Sequence, residues 1–325
     1  MKAVLIDRPT KAEDIVLSEV EIPKVKPGWV LVKIKAFGLN HSERILREYE
    51  INADYIQKPV IPGIECVGEI ADSSDCDFQM GDKVVALMGG MGRSFNGSYA
   101  EYALLPAHHV FKVKSSLDFI QMAAVPETYY TAWGSLFTCL KISKEDKLLV
   151  RGGTCALGYV AIQLAKAVGC KVAATTHREE KIYLLEEAGA DECIVDKGDL
   201  SDGKLKDKVT GVTKILELIG AKTVKDSLLT LEKGGIVCHT GVLGGEFGME
   251  QFYPLTDIPN GCYLTGFYSN YPSAKDMQDI FSFMEDHELK PDIVAVYNLS
   301  DIRNALIDLD SHKTNGKIVI VNDIT

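Results

Sequence analysis

The chain has 325 residues, 46% of them hydrophobic and 25% charged, and a formal net charge of −11. That length and apolar content suffice for two packed domains of an ordinary globular kind. The acidic balance speaks against nucleic acid as the main partner. No apolar run reaches membrane-spanning length, and the opening MKAVLIDRPTK has no apolar signal core, so the expected location is the cytoplasm, away from membranes.

Residues 1–113 read as short strands at 3–7, 15–21, 29–36, 65–70, 83–87, 99–104 and 109–113. The turn pairs Pro27-Gly28, Pro62-Gly63, Gly81-Asp82 and Asn96-Gly97 separate them. Such a run predicts a partly closed barrel, interrupted by one helix near 42–48 that Ser42 is placed to cap. From 118 the chain reads as a helix, a break at Pro126 and a second helix. Strands at 147–151, 171–176, 192–196, 214–219, 235–240 and 262–267 then alternate with helices at 157–168, 178–188 and 222–232. That alternation predicts an α/β domain with a doubly wound parallel sheet. The tail reads as helix 274–287, strand 293–297, helix 300–310 and strand 317–321.

The stretch 148–178 carries the most chemistry. The apolar run Leu148-Leu149-Val150 enters a small-residue turn, Arg151 to Gly158; apolar residues then recur at helical spacing to Val168, and Gly169 sits at a C-cap. Strand, tight turn, helix and strand within about 30 residues make a βαβ unit. A helix N-terminus attracts phosphate through its unpaired N–H groups, and small residues let a pyrophosphate approach the backbone. The turn here is Gly152-x-x-Cys155-x-x-Gly158 in place of G-x-G-x-x-G. Taken alone it fits either a dinucleotide cradle or a tightly packed strand–helix corner.

The eight cysteines form no C-x-x-C pair, zinc-cage spacing or compact disulfide frame, and are expected to be reduced.

The segments AFGLN at 36–40, PVIPGIECVGEI at 59–70, GDKVVAL at 81–87, GSYAEYALLP at 97–106, AAVPETYYTAW at 123–133, AIQLAKAVGCKVAATT at 161–176, EEAGAD at 186–191 and NGKIVI at 315–320 occur in an order and spacing that are together specific. On them the chain resembles the medium-chain dehydrogenase/reductase superfamily, in its zinc-independent quinone oxidoreductase branch. The resemblance implies a Rossmann nucleotide domain at 119–267, inserted in a β-rich GroES-like catalytic domain made of 1–118 and 268–325. It also implies a homodimer pairing edge strands near 262–267.

Zinc-bearing relatives carry a Cys after the third strand and a Gly-His-Glu after the proline turn. Here Gly38-Leu39-Asn40 and Gly63-Ile64-Glu65 stand in those places, and the lobe with four closely spaced cysteines is absent. Ile64 cannot ligate metal, so no metal site is expected.

NAD sites place an acid about 20 residues past the glycine turn. Here the second strand ends Thr176-His177-Arg178, with Lys181 one turn later. This favours a 2′-phosphate and hence NADP(H); pairing of Arg178 and Lys181 with Glu179 or Glu180 is the plainer alternative. Asp196 stands where relatives often have a phosphate-facing Tyr, which counts against NADP. Gly153, Thr154, Cys155, Ala156, Leu157 and Gly158 are the candidate pyrophosphate cradle. Cys155 replaces the family's central glycine; at a helix N-terminus its thiol pKa is expected to fall, and it is either a simple substitution or a redox-sensitive gate.

By resemblance, Asn40, Thr131, Phe267, Ser269 and Lys317 approach the nicotinamide side, and Gly241, Val242 and Leu243 line the cofactor crevice. Each also has a structural reading: turn closure for Asn40, an exposed strand start for Lys317. No proton donor is fixed; His41, Tyr99 and Tyr268 are weak candidates, and Tyr49, Tyr99 and Tyr268 are candidate walls of an apolar site.

The function so implied is NADPH-dependent hydride transfer to a small quinone or α,β-unsaturated carbonyl. An alkenal or enoyl reductase of the same fold and a non-catalytic NADPH-binding redox sensor are the alternatives.

Overall fold

The computed structural model describes residues 1–201, 205–311 and 315–322. The chain divides into two units, Met1–Tyr130 with Ser269–Thr325, and Thr131–Tyr268.

In order, the first stretch gives β1 (Lys2–Val4), β2 (Leu17–Glu19), β3 (Trp29–Gly38), α1 (His41–Glu48), β4 (Glu65–Asp72), β5 (Lys83–Leu87), β6 (Tyr102–Pro106), β7 (Val110–Lys112), α2 (Phe119–Ala123) and α3 (Pro126–Trp133). Then come β8 (Lys147–Arg151), α4 (Ala156–Ala167), β9 (Lys171–Thr176), α5 (Ile182–Glu187), β10 (Glu192–Val195), α6 (Lys206–Val209), β11 (Lys214–Glu217), α7 (Val224–Thr230), β12 (Ile236–His239), α8 (Pro254–Asp257) and β13 (Tyr263–Gly266). The tail gives α9 (Ala274–Asp286), β14 (Ile293–Asn298), α10 (Ile302–Asp310) and β15 (Lys317–Val321).

The first unit is built on a seven-stranded sheet in the order β14-β15-β3-β4-β5-β7, with β6 also on β3. Both ends of the chain therefore share one sheet: β15 pairs antiparallel with β3 through Val319 and Gly38, Ile320 and Phe37, Val321 and Ala36. Val30, Val32 and Ile34 point alternately from β3 into the core, beside Ile318 and Ile320. The strand expected at 99–104 starts at Tyr102, because the Tyr99 carbonyl is bound by Val4 N and Ala100 bridges to Ala3. Helix α1 starts one residue before the expected range, and Asn40, not Ser42, occupies its N-cap.

The second unit is a six-stranded parallel sheet, β10-β9-β8-β11-β12-β13. Strand order reverses between β8 and β11, the switch point at which open α/β sheets bind ligands past their carboxyl ends. The segments that gather there are Arg151–Gly158, Thr176–Arg178, Asp196, Glu217–Gly220 and Thr240–Leu243. Helix α4 packs on the sheet through Val160, Ala161, Leu164 and Ala165, all buried, and ends at Gly169 with φ +86°.

Gly68 lies in β4 opposite Ile34, beside an irregularity in the β3 register. A Cβ there would stand 2.2 Å from the Lys33 carbonyl oxygen, a backbone atom that cannot swing away. Gly68→Ala is expected to cost about 2 kcal/mol or more, read from urea unfolding; an unchanged midpoint would contradict the close approach.

Candidate functional site

The turn after β8 is fixed by β9. Gly152 N donates to Thr175 Oγ1 at 2.9 Å and Gly153 N to the Thr175 carbonyl at 2.8 Å. Gly152 takes φ +84°, and a Cβ on Gly158 would lie 2.3 Å from the Gly153 carbonyl oxygen. Both glycines are thus required by the backbone path. Cys155 is the N-cap of α4 with φ −148°, extended and unstrained, and its Sγ accepts Gly158 N at 3.4 Å. The thiol takes the role an Asp or Ser usually has at a cap. Its pKa is raised, not lowered: burial outweighs the amides of Gly158 and Leu157 that favour the thiolate. The direction is opposite to the lowered value expected at a helix N-terminus. Thr154 Oγ1 meets Thr176 Oγ1 at 3.2 Å, so the two strand ends are tied by hydroxyls. Ala156 and Leu157 form the first turn of α4, where helix N–H groups face outward.

Past β9, Thr176 Oγ1 accepts Arg178 N, and Arg178 Nε donates to His177 Nε2 at 3.1 Å. His177 is held below its ordinary pKa by burial and by Arg178, Lys181 and Lys197. Lys181 is lowered by burial and Arg178. Lys197 Nζ, from the end of β10, binds the His177 carbonyl at 2.8 Å. These groups make a cationic rim, flanked by exposed Glu179 and Glu180.

Behind the rim, Arg151 is completely buried. Its guanidinium meets Asp196 at 2.8 and 3.3 Å, Asp226 at 2.7 Å, Ser227 Oγ at 2.9 Å and the Thr223 carbonyl at 3.1 Å. Glu217 stands 4.0 Å away; burial raises its pKa. After β12, Gly241 N and Leu243 N bind the carbonyls of Glu217 and Leu218, and His239 Nε2 contacts the Gly241 carbonyl. Val242 caps this turn by accepting Gly245 N. The Phe267 ring fills the space where a side chain on Gly134 would be, and Ser135 Oγ donates to the Thr131 carbonyl.

A second polar cluster lies in the first unit. Glu65, wholly buried at the start of β4, accepts Lys317 Nζ at 2.6 Å and Asn40 Nδ2 at 2.8 Å on one oxygen and Glu127 N at 2.7 Å on the other. Lys317, 4% exposed, also donates to Asn40 Oδ1 and Thr128 Oγ1; the exposed strand-start alternative is not what the fold gives it. Ser269 Oγ donates to Glu127. Glu43, on the first turn of α1, accepts Asn40 N, Ile64 N and the Tyr99 hydroxyl. Burial pushes its carboxyl up to about 7, against the pull of those donors; Glu65 adds to the rise. Tyr99 is itself buried, and its pKa is raised well above the ordinary value. Tyr49 and Tyr268 are mostly exposed, and His41 opens α1.

The family model described as alcohol dehydrogenase GroES-like domain matches residues 26–115, and that described as zinc-binding dehydrogenase matches 156–286. Human quinone oxidoreductase is 31% identical over 303 residues, covering 89% of this chain and 87% of its own. The chain belongs to the medium-chain dehydrogenase/reductase superfamily. Within it, it is quinone oxidoreductase-like, an oxidoreductase of a nucleotide-binding family with a GroES-like and a Rossmann domain. An alcohol dehydrogenase of Geobacillus stearothermophilus is 28% identical over 98% of both chains. Among solved structures, that of AibC superposes with a TM-score of 0.87 at 25% identity, covering 99% of this chain and 96% of that one. No described helix is long and apolar enough to cross a membrane.

Zinc needs three or four thiolate, imidazole or carboxylate donors in tetrahedral array. Among the described residues no group of three His, Cys, Asp or Glu could hold a metal ion. Glu65 has both oxygens taken by Lys317, Asn40 and Glu127 N, and its neighbour Ile64 is apolar. This donor set does not fit zinc.

Four groups central to these clusters were not on the sequence-based roll: Arg151, Glu43, Glu65 and Lys197. For two of them a signal existed, a lone charge within an apolar run: Glu65 in IPGIECVG and Arg151 after LLV. Neither carries a partner nearby in sequence.

Glu43 ionises in the unfolded chain near the ordinary carboxyl value and in the folded chain near 7. Its contribution to stability is intact below the unfolded value and is lost as pH rises through the folded one. Between pH 5 and 8, Glu43→Gln is expected to flatten the fall in unfolding free energy by about 2–3 kcal/mol; parallel falls in both proteins would contradict the assignment. Lys317→Met leaves Glu65 buried without its cation and should cost about 3–5 kcal/mol, with much of the loss recovered in Lys317→Met/Glu65→Gln. Thermal melts of the single and double variants read both.

Proposed function

We propose that this chain is an NADPH-dependent, zinc-independent reductase that passes hydride to a quinone or an α,β-unsaturated carbonyl. The observation that carries the reading is the end of β9: among the described residues it closes on Thr176, His177 and Arg178 with no acid at the strand end, and Lys181 stands on the same edge. The cradle fits the cofactor, since Gly152 and Gly158 allow close backbone approach and α4 presents its N-terminus there. Gly153, Thr154, Cys155, Ala156, Leu157 and Gly158 would hold the pyrophosphate, with Thr176, His177, Arg178 and Lys181 at the 2′-phosphate. In the second unit, Thr131, Gly241, Val242, Leu243 and Phe267 are proposed for the nicotinamide end.

Bound NADPH supplies two electrons and one proton's nucleus as hydride; solvent or a side chain supplies the second proton, giving a hydroquinone or a saturated carbonyl. Lys317 and Asn40, locked by Glu65, are preorganised groups of the kind that stabilise developing negative charge. Tyr99 gives its hydroxyl to Glu43, so His41 and Tyr268 are the better candidates for the proton. Human quinone oxidoreductase, a relative by name of this activity, supports the acceptor class. We further propose a homodimer through the β13 edge and a cytoplasmic location.

Stopped-flow NADPH oxidation against a quinone and an enone panel tests the reading. Turnover with conjugated acceptors but not with simple alcohols and NADP⁺ is expected. Turnover of enals alone would favour an alkenal reductase; tight NADPH binding with no turnover would favour a redox sensor and overturn the enzyme reading.

A further inference from the structure

Asp196 ends the strand next to β9, a place from which a carboxylate would repel a 2′-phosphate. Its side chain is nevertheless buried. One oxygen accepts Arg151 Nε; the other accepts Arg151 nitrogen and Gly198 N at 2.7 Å. Arg151 is the residue immediately before the glycine turn. Four of its N–H bonds are accepted by Asp196, Ser227 and the Thr223 carbonyl, and Asp226 lies beside it as an ion-pair partner. The next residue in β10's wake, Lys197, is exposed and turned back onto the His177 carbonyl. Two adjacent residues of opposite charge are thus sorted: the acid inward onto Arg151, the base outward beside Arg178.

We propose that Arg151 is a positioning residue for coenzyme choice: it withdraws Asp196 from the adenosine rim and so leaves Lys197 as a third cation for the 2′-phosphate. The proposal rests on the NADPH reading above. It assigns roles to Arg151, Asp196 and Lys197 that the resemblance does not give them. Glu179 and Glu180 are exposed acids at the start of the following helical turn, and Asp199 is exposed two residues past Lys197. An Asp196 released from Arg151 would add a carboxylate at the other side, where like charge opposes a phosphate directly.

Calorimetric titration of the whole protein with NADPH and with NADH reads the affinity ratio. Lys197→Gln should lower NADPH affinity about tenfold and NADH affinity much less. Asp196→Asn should leave the ratio within about twofold, because the carboxylate is already neutralised. Arg151→Met should cut the ratio about tenfold, and Arg151→Met/Asp196→Asn should restore it even though Glu217 and Asp226 lose their cation and keep only neutral donors, Ser227 and the Ile219 and Gly220 amides for one and the Leu200 and Ser201 amides for the other. A purely structural Arg151 would weaken both coenzymes alike and leave the ratio unmoved, which overturns the proposal. A rise of about tenfold on Asp196→Asn overturns it too, since Asp196 would then face the phosphate. If Arg151→Met fails to fold, the Asp196 and Lys197 variants still decide. Wild-type protein that binds both coenzymes equally would instead overturn the NADPH reading.

Discussion

A charge removed from water must meet its opposite or the fold loses several kcal/mol. This chain buries charge at two strand ends, and each time the partner comes from far along the sequence. Lys317 reaches Glu65 across 252 residues, and Arg151 reaches Asp196 across 45. Each pair is completed by further donors or acceptors, Asn40, Thr128 and Glu127 N in one, Asp226, Ser227 and Thr223 in the other. Without those extra bonds neither burial would be tolerable, because a bare buried ion pair seldom repays its desolvation.

The two clusters have opposite consequences. In the first unit the Lys317 ammonium, the Asn40 amide and the Glu127 N–H engage both oxygens of the Glu65 carboxylate. Asn40 is fixed at both of its side-chain atoms, and Glu43 fixes its backbone from below. In the second unit the Arg151 guanidinium pairs with Asp196 and Asp226, while His177, Arg178, Lys181 and Lys197 stand together past β9 and β10 on a chain whose net charge is −11. A local basic edge on an acidic protein is what selective capture of a phosphorylated small molecule requires, since the overall field discourages polyanions.

Much of this was legible beforehand because it is local. Hydrophobic periodicity and turn glycines gave β8, α4 and β9 nearly to the residue, and strict alternation of elements gave the parallel sheet. The C-cap at Gly169 and the break at Pro126 follow from single-residue backbone constraints. The cap of α1 was misplaced by two residues, since Asn40 and Ser42 have similar propensities and only the partners of Asn40 separate them. The direction of the Cys155 thiol pKa was not legible: the helix N-terminus pulls it down, but desolvation, which no local pattern reports, pushes it up further. The same holds for Asp196. Its position along the chain was visible, but the direction it faces depends on Arg151, two strands away in the sheet order.

The proposed function requires hydride chemistry carried by NADPH without zinc. Zinc analysis by plasma mass spectrometry on purified protein, paired with NADPH–quinone turnover before and after chelator dialysis, tests it most directly. Substoichiometric zinc and undiminished turnover are the predicted result. Stoichiometric zinc whose removal abolishes turnover would contradict it.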